Sequence, residues 1–169
     1  MNNVRLTPGP VNRLIVEDSL RTAIAAVGSF LIARLLRMPE AYWATISAII
    51  VAQSTLGAAA TISRQRLEGT ILGAGTGALL ATYFHTNLWV FGLGVFGLGL
   101  LCALLRLGPA YRFSGVTLAV IMLIPRDHAA WIIASHRLIE VSAGISVGLV
   151  LSGLWPKASP RIRGQESEE

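Results

Sequence analysis

An arginine that opens an apolar stretch with small residues at every fourth position occurs twice in this chain. Arg66 is followed by Gly69, Gly73 and Gly77, and Arg137, in the second half of the chain, by Glu140, Gly144 and Gly148. The match extends upstream, where the run from Arg37 to Tyr42 parallels the run from Arg106 to Tyr111 in a slightly shorter register, so an indel of two residues separates the registers. A duplication inside an apolar chain constrains the fold strongly. Each copy must pack against its twin, and such repeats are typical of transporters and channels.

Hydrophobic residues make up 53% of the 169 positions and charged residues only 14%, against about 25% charged in a soluble domain. This is a membrane composition. The net charge of +5 does not signal nucleic acid, because the arginines punctuate apolar runs instead of forming a basic face with interleaved aromatics. The single cysteine, Cys102, lies in an apolar run, cannot form an intrachain disulfide, and reads as a small buried hydrophobe. The first long apolar run begins at Leu20 and outlasts a signal-peptide core, so it is expected to remain in the mature protein.

A crossing helix needs about 20 apolar residues. Six such spans are expected, over 20–36, 42–60, 67–84, 88–105, 113–124 and 131–155, separated by breaks at Pro39, the turn 85–87, Gly108-Pro109 and Pro125, and closed by Pro156. The expected fold is an all-α integral membrane protein whose six transmembrane helices form two inverted three-helix repeats, since an odd number of crossings per copy turns the second copy over. Residues 1–18 form a cytoplasmic N-terminal segment, 19–156 the transmembrane domain and 157–169 a polar cytoplasmic tail. Ten of the 14 Lys and Arg residues fall on the side of the two termini, which places both termini in the cytoplasm by the positive-inside rule. The four tryptophans and three tyrosines fall near span ends, as an interfacial belt requires.

The glycines at 69, 73 and 77 share one helix face, as do Gly144, Gly148 and Ser152, and small residues so spaced let helix backbones approach closely. The stretch 73–77 is not a phosphate loop: it follows no strand and lacks the Lys-Ser or Lys-Thr pair. Arg66 and Arg137 lie at or near the starts of their expected helices, where free amides and the dipole favour an anion and a guanidinium adds a fork that fits a carboxylate. Glu140 can pair with Arg137 three residues away, whereas Glu68 can reach back to Arg64, which leaves Arg66 the less neutralised charge. The alternative is that both arginines extend to lipid headgroups. Gln53 and Ser54, with Thr55, place polar groups inside the second span, where they line a path or bond to a neighbouring helix. Arg21 and Arg34 are expected at the interface. No metal-ligand set, catalytic elbow or carboxylate dyad appears, so neither an enzyme nor a cofactor is expected.

Trp43-Ala44 at the head of the second span, Gln53-Ser54 near its end, and Arg66-x-x-Gly69-Thr70-x-x-Gly73 opening the third resemble the fusaric acid resistance-like membrane domain. That domain also occurs in aromatic acid exporters and, more distantly, in plant aluminium-activated malate channels. Arg137-Leu138 with Gly144 resembles the arginine that opens the family's sixth helix. The likeness covers roughly residues 19–156. It implies a multi-pass inner-membrane module that moves small organic anions, often aromatic carboxylates, out of the cytoplasm, and that pairs with a second module, here as a homodimer or other homo-oligomer. On this reading Arg66 attracts the carboxylate, Arg137 serves a mirrored site, and Gln53 and Ser54 line the path. Two rivals stand beside it: a passive anion channel, and a non-transporting membrane subunit that packs against a larger partner.

Overall fold

The structure, a computed structural model, describes residues 11–84, 87–124 and 128–155. Among these residues the regular structure is entirely helical: α1 (Val11–Leu35), α2 (Tyr42–Ala52), α3 (Leu56–Tyr83), α4 (Leu88–Leu104), a single 3-10 turn (Gly108–Ala110), α5 (Tyr111–Leu123) and α6 (Ala130–Leu154). The expected turn at His85, the break at Pro125 and the segments 1–10 and 156–169 lie outside the described residues.

The last three helices fall within two residues of the expected spans, and the first three depart from them. α1 begins at Val11, nine residues before the apolar run, because polar residues such as Arg13 and Glu17 extend a helix as readily as apolar ones do. The second expected span is two elements. α2 stops at Ala52, Gln53 caps it, and Ser54 turns its hydroxyl onto the Val51 carbonyl at 2.6 Å. Thr55 is extended and α3 starts at Leu56. Eleven residues make α2 about 16 Å long, roughly half of a ~30 Å hydrocarbon layer. Among the described helices only α6 is both long and apolar enough to cross a bilayer unaided. α1 and α3 have the length but carry charged and polar residues along it.

The two matching stretches of sequence have local counterparts in the structure. Arg37 (φ 53°) and Arg106 (φ 58°), which match each other in the repeat, are the two non-glycine residues with positive φ among those described. Each ends a helix in the same way. The Met38 amide donates to the Ala33 carbonyl at 3.0 Å and the Leu107 amide to that of Cys102 at 2.8 Å. The Arg37 and Arg106 amides donate to the Arg34 and Ala103 carbonyls. This is the Schellman cap, which ordinarily takes glycine. A cation there complements the exposed carbonyls of the helix end.

Packing repeats as well. α3 and α6 meet at the centre; α5 lies on α3 and α2 on α6, while α1 lies on α2 and α4 on α5. Exchanging α1–α3 for α4–α6 maps this pattern onto itself. Glycines sit where the backbones come closest. A Cβ on Gly73 would strike the Ser114 carbonyl of α5, and one on Gly144 the Ala44 carbonyl of α2; one on Gly69 would lie 2.5 Å from the Ala110 carbonyl. Gly77 faces Ile121 and Gly148 faces Val51. On α4 the glycines divide, with Gly94 packed on Leu80 and Gly92 and Gly97 facing open space.

Polarity is distributed inside out relative to a soluble protein. Arg21, Arg66, Arg137 and Glu140 are buried with Ser29, Ser47, Thr70, Ser114, Thr117 and Ser152, whereas Leu93, Phe96, Leu100 and Leu104 of α4 and Val27 and Leu31 of α1 point outward. Apolar side chains outside and paired polar groups inside are what a bundle surrounded by lipid requires. Arg21 is packed inside the bundle rather than on its surface. It is buried, donates to Ser152 Oγ at 2.7 Å, and leaves two guanidinium nitrogens without a hydrogen bond.

Candidate functional site

Neither central arginine is at a helix start. Arg66 follows ten residues of α3 and Arg137 seven of α6, so the free amides of each N-terminus are about 15 and 10 Å away. The helix dipole therefore does not prepare an anion site at either one, contrary to the expectation from the apolar runs. An aromatic ring holds each arginine instead.

Arg66 lies with its guanidinium carbon 5.1 Å from the centre of the Phe113 ring, and Arg137 lies 4.2 Å from that of Trp43. Both distances are within cation–π range. Trp43 and Phe113 are spaced along the chain almost as Arg66 and Arg137 are, so the two stacks are copies of one arrangement. Each joins the long third helix of one half to the short second helix of the other, α3 to α5 and α6 to α2. Trp43 thus belongs to the interior site, with a buried indole nitrogen that lacks a hydrogen bond. Trp89, Trp131 and Trp155 remain on the outer surface.

The copies differ in charge. Arg137 is 2% exposed, with one terminal nitrogen 2.5 Å from Glu40 Oε2 and the other 3.6 Å from Glu140 Oε2. The Glu40 backbone amide donates to Glu140 Oε1 at 2.8 Å, which closes the cluster. Arg66, 5% exposed, donates through Nε to Ser47 Oγ at 2.9 Å. Among the described residues no carboxylate lies within ion-pair distance of it. Glu68 is occupied with Arg64 at 2.7 Å on the surface, the i,i+4 pairing that the spacing predicts. Gly69 stands where the second copy has Glu140, and Pro109 or Ala110 where the first has Glu40.

Both arginines line one central cavity of about 20 Å³, together with Trp43, Phe113, Thr70 and Thr117. That volume accommodates about one water, so the centre is closed to an organic acid in this conformation. A second cavity of about 100 Å³ reaches Arg137, Glu40 and Glu140 from the end where α6 begins, past His128 and His136. Among the described residues no group of three or more His, Cys, Asp or Glu could hold a metal ion.

The remaining sequence-derived residues are placed elsewhere. Gln53 and Ser54 form the α2–α3 connection and do not line the central cavity. Gln53 instead faces Asp18, Thr22 and Ala26 of α1 across an open depression. Gly69, Gly73, Gly77, Gly144 and Gly148 lie at the helix contacts described above. Two residues of the site, Phe113 and Glu40, do not stand out in the sequence; Ser47 is visible there as a polar residue of the second span, though not as the partner of Arg66. The one signal available is positional: Trp43 and Phe113 share the register of the duplicated arginines.

A model of the fusaric acid resistance protein-like family matches residues 25–151, a range that contains every member of both arginine clusters. The chain is 33% identical over 151 residues to the uncharacterized transporter YdhK of Escherichia coli K12, covering 83% of this chain and 22% of that protein. It is 31% identical to YdhK of Salmonella typhimurium over the same shares. It is 28% identical over 150 residues to the E. coli inner membrane protein YeeA, covering 84% of this chain and 41% of that protein. The chain therefore spans about a fifth of the YdhK proteins and two fifths of YeeA. No solved structure matches it.

Proposed function

The chain belongs to the fusaric acid resistance protein-like family, and from that premise we propose that it is an inner-membrane transporter module that exports small organic anions, aromatic carboxylates among them. The transporter and inner-membrane names of its relatives support the general reading. The observation that carries the specific one is Arg66: a cation 5% exposed, stacked on Phe113, without a carboxylate of its own among the described residues, and facing a cavity shared with a second arginine. An uncompensated buried charge costs several kcal/mol, and an arriving carboxylate relieves that cost while an aromatic ring beside the arginine suits an aromatic acid. Arg137 serves the mirrored position. Gln53 and Ser54, in the α2–α3 connection, contact the anion on its way to or from the centre.

In the proposed topology the six helices form two inverted repeats with both termini in the cytoplasm. The matching helix caps and the exchange symmetry of the packing support the repeat, and the distribution of Lys and Arg supports the orientation. α2 and α5 are half-length helices at mid-bundle, of the kind that flank substrate sites in transporters built from repeats. The module works as a homodimer or other homo-oligomer.

The closed 20 Å³ centre favours a carrier, which must open and close, over a standing pore. A second reading, that the chain is a membrane subunit working with a larger partner, draws on the small share of its relatives that it spans. Proteoliposomes of the purified protein, loaded with a panel of aromatic and aliphatic carboxylates, test these readings together. Saturable flux without unitary currents supports the carrier and unitary currents the channel. The absence of flux from folded, inserted protein favours the subunit.

A further inference from the structure

We propose that Glu40 and Glu140, on either side of Arg137, share an exchangeable proton, and that this proton is taken up when a carboxylate binds between Arg66 and Arg137. The linkage rests on the anion-site reading above; the proton site itself does not. Three observations lead to it.

The first is charge. Among the described residues the centre holds the cations Arg66 and Arg137, and the acids Glu40 and Glu140 both pair with Arg137. A substrate carboxylate adds one negative charge in a closed, low-dielectric space, where a net charge is costly. A proton on the acid pair cancels it, so the binding step becomes electroneutral. The second is geometry. The carboxylates converge on one guanidinium and are tied to each other by the Glu40 amide at 2.8 Å from Glu140 Oε1. The guanidinium is 2% exposed, its Nε and one terminal nitrogen make no hydrogen bond, and it lines both the central cavity and the outer one. A change of charge on the acids is therefore felt at the atom group that faces the anion. The third is access. The 100 Å³ cavity that touches Glu40 and Glu140 is also lined by His128 and His136, the latter exposed, so water and a proton can reach the pair without passing the central cavity.

The other groups facing the cluster are Tyr42 of α2, which acts on Arg137 electrostatically, the Trp43 ring, and Arg66 of α3 across the central cavity. Arg126 and Asp127 lie outside the described residues. Because the two acids act on one guanidinium, the proton belongs to the pair and not to either residue.

By reciprocity, a ligand that promotes proton uptake binds more tightly as the proton concentration rises. The test uses the whole purified protein with benzoate as probe, between pH 6 and 8, where benzoate itself stays ionised. Wild type should bind benzoate about tenfold more tightly per unit fall in pH wherever the pair changes its occupancy, and should take up close to one proton per benzoate in weakly buffered solution. Glu140→Gln should bind with no pH dependence and no uptake, while Glu68→Gln should behave as wild type. Wild-type binding that is independent of pH overturns the proposal. Infrared spectroscopy of the unliganded protein in lipid separates this failure from that of the anion site. A carboxylic-acid carbonyl band that titrates and is lost in Glu140→Gln supports the proton site even if benzoate does not bind. A spectrum unchanged by Glu140→Gln overturns it.

Discussion

Arg66 and Arg137 stand at matching positions of the sequence repeat and line the same cavity, yet only Arg137 has carboxylates as partners among the described residues. Glu140 stands against Gly69 in the sequence repeat, and Glu40 against Pro109 or Ala110. On the proposed reading the asymmetry makes Arg66 the main anion ligand and gives Arg137 a structural role besides its place at the site, and the two should respond differently to substitution.

Removing the Arg137 cation takes from Glu40 and buried Glu140 the guanidinium that both pair with. Arg137→Gln should destabilise the protein by about 3–5 kcal/mol, and adding Glu140→Gln should recover most of that loss. Thermal unfolding in detergent measures both. Equal stability of the single variant and wild type would contradict the buried-pair assignment.

Stacking should be measurable as coupling. A double-mutant cycle over Arg66→Gln and Phe113→Leu should give an interaction of about 0.5–2 kcal/mol. The same cycle between Arg66 and Trp89, which is 85% exposed on α4, should give none.

The glycines should sort by what lies opposite them. Gly73→Ala and Gly144→Ala drive a methyl group into a facing carbonyl and should cost about 1–3 kcal/mol or more. Gly92→Ala and Gly97→Ala meet open space and should stabilise α4 by about 0.5–1 kcal/mol. A uniform response of all four would mean that sequence spacing, and not contact, governs them.

Arg106 occupies a left-handed cap position that strains a side chain. Arg106→Gly should raise stability by up to about 1 kcal/mol, read from the midpoint of thermal unfolding. A loss of stability would show that the arginine's charge at the helix end outweighs its backbone strain.

Much of this architecture is legible in the sequence, and what is hidden has definite causes. Arg66 and Arg137 stand out because charge in an apolar run is conspicuous. The bounds of α4, α5 and α6 are readable because Gly108-Pro109 and the apolar run lengths mark them. The break over 53–55 carries neither proline nor glycine, and its polar residues read equally well as the lining of a continuous helix. The early start of α3 is hidden because Thr61, Ser63, Arg64 and Gln65 are helical without being apolar. Trp43 reads as an interfacial ring because nothing local distinguishes a tryptophan facing lipid headgroups from one facing an arginine remote in the chain. Glu40 gives no signal either. Next to Pro39 in a connection it reads as surface, and its partners Arg137 and Glu140 come from the other half of the chain.

The measurement that tests the central claim most directly is the flux of benzoate and of an aliphatic carboxylate from proteoliposomes holding equal amounts of inserted wild-type protein and Arg66→Gln. Saturable flux in wild type should fall at least tenfold in the variant, with unfolding midpoints that show both to be folded. Equal flux in the two proteins would contradict the assignment of Arg66 as the residue that takes the anion.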